Sequence, residues 1–296
     1  HALFIGLYAT NLTPSYAWLK LDGEKAPTPV ASSKGPQYFW IQEVFWKVAE
    51  LRPGQSLQIN QVPNCLLPAA GCGVVGLKPT YGRVSRAGVM PLSWSMDHVG
   101  PLTRTVAATA LLLGIIAGHD PRDATSSHRG IPYWERMLEM PVDGLRVGLP
   151  ENYYFDGIDA EMGAAVRAAA RVLEGLGVVI TPMRVPDPQP LSEVCNVITR
   201  SESAAIHARL VRERPHELQP AVRARLEVGF HISAHDYLQA LRLRTRYARE
   251  FTACVFAEVD ALLAPVIPEP APALDVVKAG STDDIVHRMG RFSRLT

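Results

Sequence analysis

The spacing of apolar residues predicts alternating strands and helices over much of the chain. Residues 103–118 (TRTVAATALLLGIIAG) place apolar positions at helical spacing, and a Gly-His-Asp-Pro run then ends the helix. Residues 145–150 (LRVGLP) and 178–185 (VVITPMRV) are short apolar runs typical of buried strands. Between them, Asp159 is a helix N-cap and Gly177 a helix stop. This order predicts a βαβ unit with a parallel strand pair and a right-handed crossover.

A second long helix is predicted over residues 234–258, where Ser233 and Asp236 resemble a capping box. Its predicted apolar stripe consists of Leu238, Leu241, Ala248, Phe251, Val255 and Val259. The opposite face carries Arg242, Arg246 and Arg249. We interpret these arginines as a solvated face rather than a site for an anionic partner. Residues 261–267 (ALLAPVI) predict a buried strand, and the proline-rich run 265–275 predicts an extended connector.

Composition indicates an ordinary soluble globular protein. The 296 residues are 47% apolar and 20% charged, and the formal net charge is +1. This balance gives no support for a nucleic-acid or membrane-surface partner, and no apolar run is long enough to span a bilayer. Four cysteines (Cys65, Cys72, Cys195, Cys254) show no Cys-x-x-Cys spacing. That pattern suits free thiols in a reducing compartment, so we expect a cytoplasmic protein.

Usage of lysine and arginine changes abruptly near residue 67. Four of the six lysines (Lys20, Lys25, Lys34, Lys47) precede this point, whereas 23 of the 24 arginines follow Arg52. The chain also starts with His1 rather than Met. We therefore predict two parts, an atypical segment 1–67 and a domain 68–296. A frame or gene-model artefact, a fusion and a divergent N-terminal subdomain all remain explanations for the first part.

Two motifs resemble cofactor-binding sequences but do not match them at the residues that binding requires. GCGVVGLK resembles a phosphate loop, but Lys78 comes one residue late and Pro79 replaces the metal-binding Ser or Thr. His231 and His235 have a zinc-helix spacing, yet Ser233 as the helix cap leaves His231 outside the helix. We expect no cofactor and no metal site.

The run from Pro68 to Ser127 carries the most specific pattern. It contains Pro-Ala at 68–69, CGVVGLKPT at 72–80, GRVS at 82–85, SMDHVGP at 95–101 and GHDPRDATS at 118–126. In this order these elements resemble the amidase signature family of serine amide hydrolases. Bacterial amidases, fatty acid amide hydrolase and the A subunit of glutamyl-tRNA amidotransferase belong to that family. The resemblance covers about residues 68–296 and does not extend into 1–67.

The resemblance implies an α/β fold, a mixed and largely parallel sheet flanked by helices, here incomplete at both ends. It also implies a mechanism in which a serine nucleophile is activated through a second, cis-peptide serine by a neutral lysine. Backbone N–H groups of the nucleophile loop hold the oxyanion. Seven signature positions are expected to have structural roles: Pro68, Cys72, Gly73, Gly76, Lys78, Asp97 and Gly100.

The catalytic groups implied by the resemblance are not found at their positions. Counting back from Pro68, the family's loop Gly-Thr-Asp-Thr-Gly-Gly-Ser-x-Arg-x-Pro-Ala places its nucleophile at Asn64, whose amide cannot attack a carbonyl. The two glycines become Val62 and Pro63, and proline has no N–H to donate. Ser32-Ser33 lacks the context of the cis-serine, and no lysine before residue 67 matches the family's base. We therefore predict no catalytic residue in this chain.

We expect an amidase-family protein in which serine-dependent hydrolysis of carbon–nitrogen bonds is lost. A non-catalytic pseudoenzyme or assembly module is one alternative, and the A component of a tRNA-dependent amidotransferase is another. Cys65 is a further candidate nucleophile by adjacency alone, since residues 2–97 contain no histidine base. A small amide would be the substrate of a complete enzyme. Neither nucleic acid nor membrane is expected as a partner, and a homodimer is left open.

Overall fold

The computed structural model describes residues 3–5, 19–21, 57–59, 66–273, 275–276 and 282–292. It divides into two compact units. We call them the sheet unit (residues 3–5, Pro91–Met96 and the described residues from Pro141 onward) and the signature unit (described residues of Ala9–Met90 and Asp97–Met140). Each is described by itself. Among the described residues no helix is long and apolar enough to cross a membrane.

A four-stranded sheet forms the centre of the sheet unit. Its strands are β1 (Leu3–Ile5), β6 (Arg146–Pro150), β7 (Val179–Met183) and β8 (Ala261–Leu263), in the order β1-β8-β6-β7. Every neighbouring pair is parallel, with Val147 of β6 beside both Ile180 and Ala261. The predicted parallel βαβ unit and the α/β fold class are confirmed.

Helix α4 (Ala160–Gly175) connects β6 to β7 and begins and ends where the sequence predicts. Asp159 accepts hydrogen bonds from the backbone N–H groups of Glu161 and Met162, and Gly177 adopts a φ of +85° just after the helix. The buried face of α4 presents Val166 and Ala170 to the sheet. Local capping chemistry and an apolar face therefore define this crossover helix.

Three further helices of the sheet unit are α5 (Gln189–Glu213), α6 (Pro220–Gly229) and α7 (Ala234–Val255). A short 3₁₀ turn, Pro215–Glu217, precedes α6. Helices α5 and α6 approach closely at Gly229, where an added Cβ would lie 2.0 Å from the carbonyl oxygen of Arg200. Helix α8 (Thr282–Met289), which the sequence pattern did not predict, carries the buried residues Ile285 and Met289.

The end of the predicted helix 234–258, the length of the predicted strand 261–267 and part of the predicted apolar stripe are wrong. Helix α7 ends at Val255, and β8 is only three residues long because Pro265 interrupts the run that follows. Leu238 and Ala248 were both assigned to the apolar stripe but are exposed, Leu238 at 58%, whereas Ala240 is buried. Tyr237, which was not predicted to face inward, packs with the α5 cluster around Ile198, and Leu241 packs there as predicted. The predicted arginines Arg242, Arg246 and Arg249 are exposed.

The signature unit is built from short elements. It contains β2 (Leu19–Leu21), β3 (Leu57–Ile59), α1 (Leu66–Cys72), β4 (Val75–Gly76), β5 (Leu102–Thr103), α2 (Val106–Ile116) and α3 (Trp134–Met137). The pairs β2–β3 and β4–β5 are antiparallel. Thr105 caps α2 by accepting the Ala108 N–H, and Leu113 and Ala117 pack with Val84 and Val99. The predicted helix within 103–118 is confirmed.

Candidate functional site

The first signature positions form the end of α1. Pro68 lies within the helix, Cys72 is its last residue, and Gly73 follows with a φ of +62°. Gly73 N–H donates to the Ala70 carbonyl at 3.2 Å and Val74 N–H donates to the Ala69 carbonyl at 3.0 Å. This double closure is a Schellman motif, which favours glycine at its left-handed position. Burial raises the pKa of the half-buried Cys72 thiol, so that thiol is a poor nucleophile.

The two halves of the signature meet where β4 pairs with β5. Gly76 lies opposite Leu102, and Leu77 N–H donates to the Pro101 carbonyl at 3.0 Å. An added Cβ on Gly100 would lie 2.0 Å from the Leu77 carbonyl oxygen and 2.9 Å from Pro79 Cδ. Only glycine fits this contact, because real side chains do not approach a backbone so closely.

Lys78 and Asp97 are the two charged positions of the signature. Lys78 Nζ lies 3.3 Å from Nε2 of His98, whose ring packs edge-on against Tyr81. The Asp97 side chain is 5% exposed. Lys78 is thus half-buried and Asp97 buried within the signature unit, and their structural role stays a prediction.

A second polar cluster, not anticipated as a functional feature, joins two family-like segments. Arg86 donates from its backbone N–H to Asp123 at 2.8 Å and from Nη2 to Thr125 Oγ1 at 2.6 Å, with its guanidinium over the Tyr81 ring. Burial alone raises the pKa of Asp123, but hydrogen bonds from Thr125 and Arg86 outweigh it and lower that pKa. In parallel, Ser85 Oγ donates to Asp120 at 2.7 Å. The segments 82–86 and 118–126 are thereby tied together.

In the sheet unit, a buried carboxylate organises residues Pro91–Met96, which we call the strap. Glu202 of α5 is 3% exposed and accepts a hydrogen bond from Ser93 Oγ at 2.6 Å. It also accepts from the Ser95 N–H at 3.0 Å, from Ser95 Oγ at 2.8 Å and from Tyr237 Oη at 2.9 Å. Arg244 Nη1 donates to the Ser95 carbonyl at 3.3 Å. The carboxylate therefore joins α5, α7 and the strap.

Further contacts hold both ends of the strap. His207 Nε2 donates to the Pro91 carbonyl at 2.9 Å, and Thr199 Oγ1 contacts Met96 Sδ at 3.4 Å. Nothing in the sequence pattern marked Glu202 as special, since a glutamate inside a long helix is ordinary. The only signal was the pair Ser93 and Ser95 beside the signature.

The electrostatics of this cluster indicate a clamp rather than a catalytic base. Burial by itself raises the pKa of Glu202, yet hydrogen bonds from Ser93, Ser95 and Tyr237 outweigh it and lower that pKa. Burial, followed by the adjacent Glu202, raises the pKa of Tyr237. A carboxylate with a lowered pKa is a weak base and does not activate a hydroxyl. Ser93, at 1% exposure, is also closed to substrate.

Several predicted positions lie outside the described residues: Asn64, Cys65, Val62, Pro63, Ser32, Ser33, Lys25, Lys34 and Lys47. Over the described ranges, no group of three or more His, Cys, Asp or Glu residues could hold a metal ion. The predicted boundary near residue 67 stays a prediction, as do the roles of the signature positions.

Comparison with known proteins places these features in a family. The sequence profile of the family described as Amidase matches residues 65–292. An amidase of Pseudomonas putida is 44% identical, with 69% of this chain and 44% of that protein covered. The A subunit of the glutamyl-tRNA(Gln) amidotransferase of Carboxydothermus hydrogenoformans is 39% identical, with 69% of this chain and 47% of that protein covered.

Among solved structures, one resembles the chain at a TM-score of 0.65 and 35% identity, covering 72% of this chain and 46% of the other. It is described as an unexpected vestigial protein complex that reveals the evolutionary origins of an s-triazine catabolic enzyme. The chain belongs to the amidase family. It spans less than half the length of the curated relatives it matches, 44% of one and 47% of another.

Proposed function

We propose that this chain carries the family scaffold over residues 68–296 without the serine chemistry of its active relatives, and so does not hydrolyse amides. The observation that carries the proposal is Asn64 at the position of the nucleophile, flanked by Pro63 where the family has glycine. An amide nitrogen is not nucleophilic, and a proline cannot donate to an oxyanion. Losing one such donor alone costs about 3 kcal/mol of transition-state stabilisation.

The described polar clusters support this interpretation. Glu202 and Asp123 both have lowered pKa values and serve as acceptors for neighbouring hydroxyl and N–H groups. Lys78 contacts His98. These groups fit a scaffold that holds its loops in place, because the hydroxyls that donate to Glu202 and Asp123 meet carboxylates of lowered pKa, which are weak bases.

The test is release of ammonia from a panel of simple amides by the purified chain. We expect no turnover above the uncatalysed background. Turnover that Cys65→Ala abolishes would contradict the proposal and indicate a thiol enzyme. Turnover that survives Cys65→Ala but is lost in Ser33→Ala would contradict it equally, by indicating a serine enzyme.

A role in assembly is the second candidate. Relatives named as the A subunit of an amidotransferase, and a neighbour described as a protein complex, favour it. Such a pseudoenzyme requires a folded segment 1–67. Limited proteolysis of the full chain tests this second candidate. Resistance of residues 1–67 to the protease supports a role in assembly, and rapid trimming to about residue 66 argues against it.

A further inference from the structure

A cleft lies at the carboxyl edge of the sheet in the sheet unit. Its volume is about 410 Å³, and its lining includes Gly157, Gln189, Ser192, Glu269, Arg288 and Arg291. These residues follow the ends of β6, β7 and β8 or belong to α8 and the turn after it. Loops at the carboxyl ends of parallel strands are where open α/β sheets bind ligands, and this volume suits a small molecule.

The cleft carries one positive charge that no carboxylate of the described residues neutralises. Arg288 pairs with Glu269. Arg291 instead donates from Nη1 to the Asp156 carbonyl at 2.7 Å and from Nη2 to the Tyr153 carbonyl at 3.0 Å. Within the described part of the chain, no acidic side chain forms an ion pair with Arg291. Because carbonyl groups are neutral, its charge remains available to an anion.

Ser192 supplies a second and independent indication of a ligand. The residue is 3% exposed and lines the cleft, and its hydroxyl forms no hydrogen bond with any residue that the structure describes. Its backbone N–H is already used by the Pro188 carbonyl. Because Ser192 lines the cleft and its hydroxyl has no partner in the described part of the chain, that hydroxyl is able to donate a hydrogen bond to an acceptor atom entering the cleft. The Asp187 side chain already accepts a hydrogen bond from the Gln189 N–H at the start of α5. The proposed ligand site therefore does not depend on free N–H groups at this helix end.

Arg291 is held rigidly by the turn that follows β6. Tyr153 is a non-glycine residue with a φ of +58°, and its hydroxyl donates to the Arg291 carbonyl at 2.9 Å. The Arg291 guanidinium also lies 5.0 Å from the centre of the Tyr153 ring. These contacts hold the Arg291 side chain in one position before a ligand binds. Arg291 therefore loses less conformational entropy on binding.

We propose that this carboxyl-edge cleft binds a small monocarboxylate, with Arg291 providing the compensating charge and Ser192 a hydrogen bond. A single uncompensated positive charge matches a monocarboxylate, whereas inorganic phosphate near pH 7 is a mixture of monoanion and dianion. The proposal concerns binding only, and it does not depend on whether the chain hydrolyses amides.

The experiment compares benzoate with its neutral isostere benzamide on the full chain, by ligand-observed NMR titration. We expect benzoate to bind and benzamide to bind at least about tenfold more weakly. Ser192→Ala should weaken benzoate about tenfold, the usual effect of losing a hydrogen bond to a charged group. Arg291→Lys keeps the charge but loses the carbonyl contacts, so we expect binding weakened yet still selective for benzoate.

The matched control is Arg249→Gln, which removes an exposed arginine of α7 and should leave the affinity unchanged. Circular dichroism checks that each variant is folded. Equal binding of benzamide and benzoate, or unchanged affinity in Ser192→Ala, would overturn the proposal. Tighter binding of inorganic phosphate than of benzoate would overturn the assignment to a carboxylate.

Discussion

Ser95 and Glu202 are joined by two hydrogen bonds, from the backbone N–H at 3.0 Å and from the hydroxyl at 2.8 Å, across 107 residues of sequence. Such a pair fixes both the position and the orientation of the strap on α5. Because the carboxylate is 3% exposed, its hydrogen bonds are made where water does not compete. The signature sequence around Ser95 therefore depends on a residue far outside it.

Removing the Glu202 carboxylate should destabilise the protein strongly. Glu202→Ala leaves the donors on Ser93, Ser95 and Tyr237 without an acceptor and opens a cavity, which costs about 3 kcal/mol of unfolding free energy. Glu202→Gln retains the shape and one acceptor oxygen, so we expect a loss of about 1–2 kcal/mol. Urea denaturation followed by circular dichroism measures both.

Glu250→Ala is the control for these variants. Glu250 also lies on a helix, but it pairs with Arg246 at the surface, with half of its side chain (51%) exposed. Exposed pairs of this kind contribute about 0.5 kcal/mol. If Glu202→Ala and Glu250→Ala shift the urea midpoint equally, Glu202 does not clamp the strap.

The clamp should also make stability depend on pH in the acid range. The pKa of Glu202 in the folded protein lies below the unfolded value of about 4.3, so its contribution is fully present above that pH. It is lost as pH falls through the folded pKa, because protonation then favours the unfolded chain. We expect the unfolding free energy of the native protein to fall more steeply than that of Glu202→Gln below about pH 4.3.

Denaturation curves at intervals from pH 3 to pH 7 provide the comparison. Parallel profiles for the native protein and Glu202→Gln would mean that other carboxylates carry the acid dependence. Asp260, whose pKa is lowered to about 2 chiefly by hydrogen bonding to Arg146, is common to both proteins and cancels in the difference.

The local elements were predictable from the sequence, whereas the polar clusters were not. Asp159 and Gly177 act within a few residues of α4, so capping chemistry alone located that helix. The parallel pairing of β6 and β7 was predicted from the strand–helix–strand order of this segment. Leu238 shows the limit, since hydrophobic spacing placed it inward while the structure turns Tyr237 inward. A hydrophobicity pattern does not predict that a polar side chain such as that of Tyr237 faces the interior.

Long-range polar contacts need three-dimensional information. Ser93 and Glu202 are separated by 109 residues, and nothing in either local sequence specifies the other. The same holds for Arg86, which directly follows the GRVS motif, and Asp123, which lies in the GHDPRDATS motif. The resemblance to a family identified the motifs. Only the three-dimensional structure shows which side chains of one motif form hydrogen bonds with those of another segment.

Thiol reactivity should differ among the described cysteines. Cys254 is exposed, whereas Cys72 and Cys195 are half-buried and burial raises the pKa of both thiols. Reaction requires an accessible thiolate, so iodoacetamide near pH 7.5 should label Cys254 at least about tenfold faster than the other two. Mass spectrometry of tryptic peptides over time gives each rate. Labelling in urea should remove the difference, and faster labelling of Cys72 in the native protein would contradict the burial argument.

Gly100 lies so close to the Leu77 backbone that adding one methyl group at this position should destabilise the protein. Gly100→Ala places a Cβ 2.0 Å from the Leu77 carbonyl oxygen, so β4 and β5 must separate, at a cost of about 3 kcal/mol or more. Gly114→Ala is the matched control, because it adds the same atom within α2 with no neighbouring atom inside 4 Å. That change should stabilise the protein by about 0.5–1 kcal/mol through helix propensity. Thermal unfolding of the two variants should therefore shift in opposite directions. A Gly100→Ala protein as stable as Gly114→Ala would show that the two halves of the signature do not meet at Leu77.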